Sequence, residues 1–87
     1  MMRYEFKLPE LGKDAPDKAK LSFWYKEVGD DVTREESLCE MFTDKATFDV
    51  PAPCNGTILE ILVEDEDEEV TVGQIIAVME VEALPEN

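Results

Sequence analysis

Histidine is missing from this 87-residue chain. That removes the commonest general base at neutral pH and the commonest zinc ligand. Cysteine is scarce: Cys39 and Cys54 form no Cys-x-x-Cys pair. A zinc site is therefore not expected, nor is a catalytic cysteine, since no histidine exists to activate either thiol. With no secretion signal in view, two unpaired cysteines read as free thiols of a reducing compartment. No apolar run approaches the ~20 residues of a membrane-spanning helix. The start, Met1-Met2-Arg3-Tyr4-Glu5-Phe6, has neither the apolar stretch of a signal peptide nor the arginine richness of a transit peptide. Basic side chains are few, 8 against 22 acidic ones, for a net charge of -14. That excess repels nucleic acid and anionic membranes, and it opposes self-association. The expected partners carry basic patches, and the isolated chain is expected to be a monomer.

The length suits one domain with one modest core, burying roughly 60–65% of the unfolded chain's surface. It leaves little room for a deep catalytic cleft. No segment keeps a 3.6-residue apolar period over the ten or more residues of a helix. Short β-type runs dominate instead: Tyr4–Leu8, Leu21–Tyr25, Leu38–Thr43, Thr47–Val50, Thr57–Val63 and Ile75–Val81. Turn signals separate them at Gly29-Asp30-Asp31, Pro53-Cys54-Asn55-Gly56 and Val72-Gly73-Gln74. Pro9–Gly12 and the polar stretch from Lys13 to Lys18 read as a surface loop. The fold class is all-β, a sandwich or flattened barrel.

An imperfect repeat runs through the chain. A shift of 38 positions places Leu21 on Leu59, Val32 on Val70 and Thr33 on Thr71. It also sets Asp30-Asp31 against Glu68-Glu69, Leu38 against Ile76 and Met41 against Met79. Two similar sheets related by a pseudo-twofold axis are predicted. Because Glu60 must face water, alternation predicts Leu59, Ile61 and Val63 inward. The repeat then predicts Leu21, Phe23 and Tyr25 inward, with Trp24 and Leu62 on the outer side.

Between the halves lies Met41-Phe42-Thr43-Asp44-Lys45-Ala46-Thr47-Phe48-Asp49-Val50. Two β-type runs flank Asp44-Lys45, and aspartate favours turns by bonding nearby backbone groups. A tight hairpin with a two-residue centre is predicted, with Lys45 at its tip. A lysine there offers an amine that a modifying enzyme can reach and that a tethered group can swing from. In an arbitrary protein the same lysine would be an ordinary solvated turn residue; the flanking sequence decides otherwise.

Glu5-Phe6-Lys7-Leu8-Pro9-Glu10-Leu11-Gly12 resembles the opening of lipoyl domains. Val28-Gly29-Asp30-Asp31-Val32 resembles the turn after their second strand. Leu38-Cys39-Glu40-Met41-Phe42-Thr43-Asp44-Lys45-Ala46 resembles their attachment segment, with Asp-Lys-Ala at its centre. Val50–Gly56 and Val72-Gly73-Gln74 resemble their later turns. The similarity covers about Glu5 to Val81 and implies membership of the biotinyl/lipoyl-attachment family. The implied fold is a barrel-sandwich hybrid of two four-stranded antiparallel sheets. The implied domain spans residues 1–82, with 83–87 a tail or the start of a linker. The implied cofactor is lipoate in amide linkage to Lys45, with Asp44 and Ala46 completing the attachment motif.

The resemblance further implies a swinging-arm carrier of a dihydrolipoamide acyltransferase, with no catalytic groups of its own. Its implied partners are a lipoate-attaching enzyme, a thiamine-dependent decarboxylase, the acyltransferase catalytic domain and a flavoprotein dihydrolipoyl dehydrogenase. The tether would give a high effective concentration at each centre. The implied location is the bacterial cytoplasm, or the mitochondrial matrix in a eukaryote.

Two stretches depart from the family pattern. Gly12-Lys13-Asp14 replaces a common Gly-Glu-Gly, in a loop about one residue longer than usual. Glu64-Asp65-Glu66-Asp67-Glu68-Glu69 replaces a Pro-Glu-Gly turn and reads as a solvated turn or as a docking surface for a basic partner. It lacks the spaced ligands and the glycine of a calcium loop. Rival readings are a biotin carrier domain, whose lysine normally sits between methionines, a glycine-cleavage carrier, and an unmodified interaction domain of the same fold.

Overall fold

The computed structural model describes residues 1–12 and 15–85. Lys13 and Asp14 of the predicted surface loop, and Glu86 and Asn87 of the tail, lie outside the described residues. Eight strands form, with no helix among the described residues: β1 (Met2–Lys7), β2 (Lys18–Trp24), β3 (Asp31–Val32), β4 (Ser37–Phe42), β5 (Thr47–Pro51), β6 (Gly56–Ile61), β7 (Glu69–Thr71) and β8 (Ile75–Val81). They make two four-stranded antiparallel sheets, ordered β1-β8-β6-β3 and β5-β4-β2-β7. The all-β architecture with two four-stranded sheets agrees with expectation. The edge strands β3 and β7 were not predicted as strands. At two and three residues they are too short to show alternation.

The sheets face each other across one core containing Phe6, Leu8, Leu21, Leu38, Met41, Val50, Ile58, Val70, Ile76 and Met79. Burying each large apolar side chain contributes about 1.5–3 kcal/mol. No polar or charged side chain is buried among the described residues, so this core carries no desolvation penalty for unpaired polar groups.

The repeat is real down to its hydrogen bonds. In the first half Gly29 N–H donates to Ile58 O, and Ile58 N–H donates to Asp30 O. In the second, Asp67 N–H donates to Leu21 O, and Leu21 N–H donates to Glu68 O. Glu35 N–H to Ala52 O is matched by Gly73 N–H to Leu8 O. The Glu36 carboxylate accepts Thr33 N–H at 3.0 Å, and the Gln74 amide oxygen accepts Thr71 N–H at 3.1 Å.

The same pairings correct the predicted facing. Met41 pairs with Leu21, but Met79 pairs with Ile58, not with Leu59. Structural equivalence therefore runs at a shift of 37 in β2 and β6 and at 38 from Val32 and Val70 onward. The acidic turn Glu64–Glu69 takes up the extra residue. The Leu21–Leu59 identity was a coincidence of register. Both strands also carry a bulge, between Leu21 and Phe23 and between Ile58 and Glu60. A bulge leaves one residue unpaired and resets which side chains face the core. Leu59 is consequently exposed while Ile58 is buried. Phe23 and Tyr25 are exposed, against expectation. Trp24, expected outside, packs against the core, and its indole Nε1–H donates to Val63 O at 2.6 Å. Val63 inward and Leu62 outward hold as predicted, and Ile61 packs half-buried against the core.

Candidate functional site

Strands β4 and β5 run antiparallel from Ser37–Pro51 to Phe42–Thr47 and are closed by Thr43-Asp44-Lys45-Ala46. Met41 and Val50 anchor the hairpin in the core. The two-residue centre is as predicted, and Lys45 stands exposed at the tip beside exposed Asp44 and Ala46. The pseudo-twofold sets this hairpin against the junction of β8 and β1, where Val81 pairs with Met2.

The turn is organised by a residue the sequence did not single out. Thr43 N–H donates to Ala46 O at 2.8 Å. The Thr43 hydroxyl oxygen accepts Lys45 N–H at 3.2 Å and Ala46 N–H at 3.3 Å. It also lies 3.4 Å from Ala46 O, to which it can donate. These bonds are long and individually weak. Together they engage both amide groups that follow Asp44. None of residues 43–46 has a positive φ, so this turn is not one of the left-handed types usual in tight hairpins. Aspartate was expected to bond the backbone here, and threonine does so. Threonine's capacity for hydroxyl-capped turns was the signal available in the sequence.

Among the described residues no carboxylate pairs with the Lys45 ammonium. The ion pairs among the described residues are Arg3–Glu60 at 3.8 Å and Lys26–Glu36 at 2.6 Å. An exposed amine on a hairpin anchored in the core fits covalent attachment of an acyl cofactor. A shallow depression beside the turn is lined by Pro16, Lys18, Ala19 and Lys20 from one side and Phe42, Thr43 and Asp44 from the other. The end of the long surface loop therefore lies against the hairpin.

Around the site the remaining chemistry is quiet. Among the described residues no three His, Cys, Asp or Glu side chains converge. The acidic residues from Glu64 to Asp67 point into solvent. Both cysteines are free thiols. Cys39 is fully buried, and that burial pushes its pKa up to about 12. Cys54 is half-buried, and desolvation raises its pKa as well. The Tyr25 hydroxyl donates to Asp49 Oδ1 at 2.9 Å. That bond first, then desolvation and the nearby negative charges, raise the phenol above its ordinary 10.0.

Fold and site together define a β-sandwich domain that presents an exposed lysine at a hairpin tip. The family model described as biotin-requiring enzyme matches residues 4–79, and the chain belongs to this biotin/lipoyl-attachment family, as a lipoyl domain. It is 44% identical over 73 residues to the dihydrolipoyllysine-residue acetyltransferase component of the pyruvate dehydrogenase complex of Corynebacterium glutamicum, covering 84% of this chain and 10% of that protein. It is 46% identical over 67 residues to the succinyltransferase component of the 2-oxoglutarate dehydrogenase complex of Rickettsia typhi, covering 77% of this chain and 16% of that protein. The solution structure of the lipoyl domain of the Azotobacter vinelandii 2-oxoglutarate dehydrogenase complex superposes with a TM-score of 0.64 at 28% identity, covering 87% of this chain and 94% of that one. The chain thus spans only a small part of its curated relatives but nearly all of an isolated lipoyl domain.

Proposed function

We propose that Lys45 is the lipoylation site and that this domain carries acyl groups and reducing equivalents within a 2-oxo acid dehydrogenase complex. The carrying observation is the exposed Lys45 at the apex of a hairpin anchored in the core, with no ion-pair partner among the described residues. When attached to Lys45, the lipoyl group would supply a dithiolane capable of acyl transfer and of two-electron thiol–disulfide chemistry. The chain's own residues bind and present. Lys45 Nζ provides the amide nitrogen, and acylation there removes one of only 8 basic charges. Thr43 fixes the turn through Lys45 N–H and Ala46 N–H. Asp44, exposed beside the arm, presents a carboxylate to whichever enzyme engages the tip.

The partners in this reading are the lipoate-attaching enzyme, the thiamine-dependent decarboxylase, the acyltransferase catalytic domain and dihydrolipoyl dehydrogenase. The domain has no catalytic role of its own. In this reading residues 1–82 are the lipoyl domain, with β8 ending at Val81, and 83–87 are a tail or the start of a linker. Two free thiols fit a reducing compartment, the bacterial cytoplasm or the mitochondrial matrix.

Co-expression with a lipoate ligase followed by intact-mass measurement tests this. A lipoyl mass gain is expected in the native chain and none in Lys45→Arg, which keeps the charge but offers no acylatable amine. A biotinyl gain, or no gain in the native chain, would overturn the reading.

A further inference from the structure

The outer face of the lysine-bearing sheet holds a feature that the fold does not require. Phe23 and Tyr25 are 46% and 44% exposed. Their rings meet edge to face, 4.7 Å between centroids at 74°. Phe23 stands opposite Glu40, which stands opposite Asp49. The Tyr25 hydroxyl reaches over to Asp49. The result is a pre-ordered aromatic pair bordered by two carboxylates.

The second half supplies an internal control. By the structural equivalence of the halves, Phe23 corresponds to Glu60 and Tyr25 to Leu62. Glu40 and Asp49 correspond to Val78 and Glu5. At that face Glu60 is ion-paired with Arg3, and no aromatic pair exists. The aromatic-acidic patch is therefore confined to the sheet that carries Lys45.

Its position relates it to the arm. Glu40 and Phe42 lie two residues apart on the same face of β4, and the turn follows at once. Glu40 is at most about 17 Å along the strand from Lys45, at ~3.3 Å per residue. A standard interface covers ~800 Å² per partner, a disc of roughly 16 Å radius. One partner seated over the base of the hairpin spans both features.

Building on the lipoyl-carrier reading, we propose that Phe23, Tyr25, Glu40 and Asp49 form a docking surface for an arginine-bearing face of the decarboxylase that receives the Lys45 arm. A guanidinium matches this patch twice over: it stacks on aromatic faces and pairs with carboxylates in one plane. Aromatic anchors with low rotamer entropy are what binding hot spots use. The chain's net charge of -14 steers such a basic surface toward it.

The test uses the full chain, lipoylated and verified by mass, with the decarboxylase components of the pyruvate and 2-oxoglutarate dehydrogenase complexes as probes. Reductive acylation is followed with the domain and, as control, with free lipoamide. In Phe23→Ser/Tyr25→Ser the KM for the domain should rise about tenfold with at least one decarboxylase, while kcat and the free-lipoamide rate stay near native. Glu40→Gln/Asp49→Asn should raise KM and flatten its dependence on salt. A native KM in both folded double variants overturns the proposal. Should the aromatic variant fail to fold, the carboxylate variant decides alone. Amide resonances of the unlipoylated chain provide a separate arm: shifts at Phe23 and Tyr25 on adding decarboxylase support docking, and their absence overturns it. Failure of lipoylation, by contrast, would strike Lys45 and leave this arm readable.

Discussion

Glu35 and Gly73 occupy the same place in the two halves of the fold, both in the left-handed region, with φ of +72° and +90°. Each donates its N–H to the matching carbonyl, Ala52 O and Leu8 O. Glycine adopts this conformation freely, whereas a residue with a Cβ is strained there by roughly 1–2 kcal/mol. Gly29 and Asp67 repeat the relationship at +95° and +68°. At these two equivalent positions each half thus places glycine at one and a carboxylate residue at the other.

Glu35→Gly should therefore stabilise the domain. Relief of strain exceeds the added flexibility of the unfolded chain by about 0.5–1 kcal/mol. For a domain of this size that is a rise in melting temperature of about 2–8 °C. Gly73→Ala should act in the opposite sense by a similar amount. Calorimetric melts of both variants check the pair, and a lower melting temperature for Glu35→Gly would refute the strain argument.

Gly56 answers a different need. It sits in β6 between Val32 and Val81. A Cβ there would meet Glu80 O at 2.5 Å and Val81 Cγ1 at 2.9 Å. The backbone oxygen cannot give way without disturbing the ladder. Gly56→Ala should cost about 1–3 kcal/mol, read from the urea midpoint at unchanged slope. Its counterpart in the other half, Ala19, already carries a Cβ and is buried. Ala19→Gly should accordingly give no comparable gain.

These residues also show what could be read before the fold was known. The strands around Lys45 announced themselves through β-type runs and turn residues. The Val-Thr repeat announced the twofold. The inward faces of β2 and β6 were misread because alternation assumes an unbroken ladder. A bulge in each strand and the one-residue excess of the acidic turn broke it. Glu35 and Asp67 gave no sign of left-handed geometry, since the clue lies in glycines one repeat away. Thr43 went unnoticed because the neighbouring aspartate was the stronger turn former on composition alone.

The two thiols should separate cleanly. Cys39 is fully buried with its pKa pushed up to about 12, by burial first and then by the Asp49 charge. Cys54 is half-buried in a turn. Alkylation of the folded protein should modify Cys54 first, with Cys39 reacting only on global opening. The sign of the pH effect follows. The folded value lies above the ordinary 9.0, so nothing is lost below that value. From there upward the unfolded chain ionises first, and stability falls until about pH 12. Cys39→Ala should weaken this alkaline decline even as it lowers stability at neutral pH through the lost packing. Equal alkylation rates at the two sites in native buffer would contradict the assignment.

Thr43 and Asp44 should divide the work of the hairpin between shape and recognition. The Thr43 hydroxyl contacts Lys45 N–H and Ala46 N–H, whereas Asp44 is exposed. Thr43→Val removes the hydroxyl at nearly constant volume. It should cost about 1 kcal/mol and speed hydrogen exchange at the Lys45 and Ala46 amides. Thr43→Ser restores the oxygen and should rescue both. Asp44→Ala should leave melting and exchange near native yet lower reductive acylation of the fully lipoylated domain by its decarboxylase. Should Asp44→Ala loosen the turn as Thr43→Val does, the carboxylate is structural. Should it change neither exchange nor acylation, it has no part in recognition.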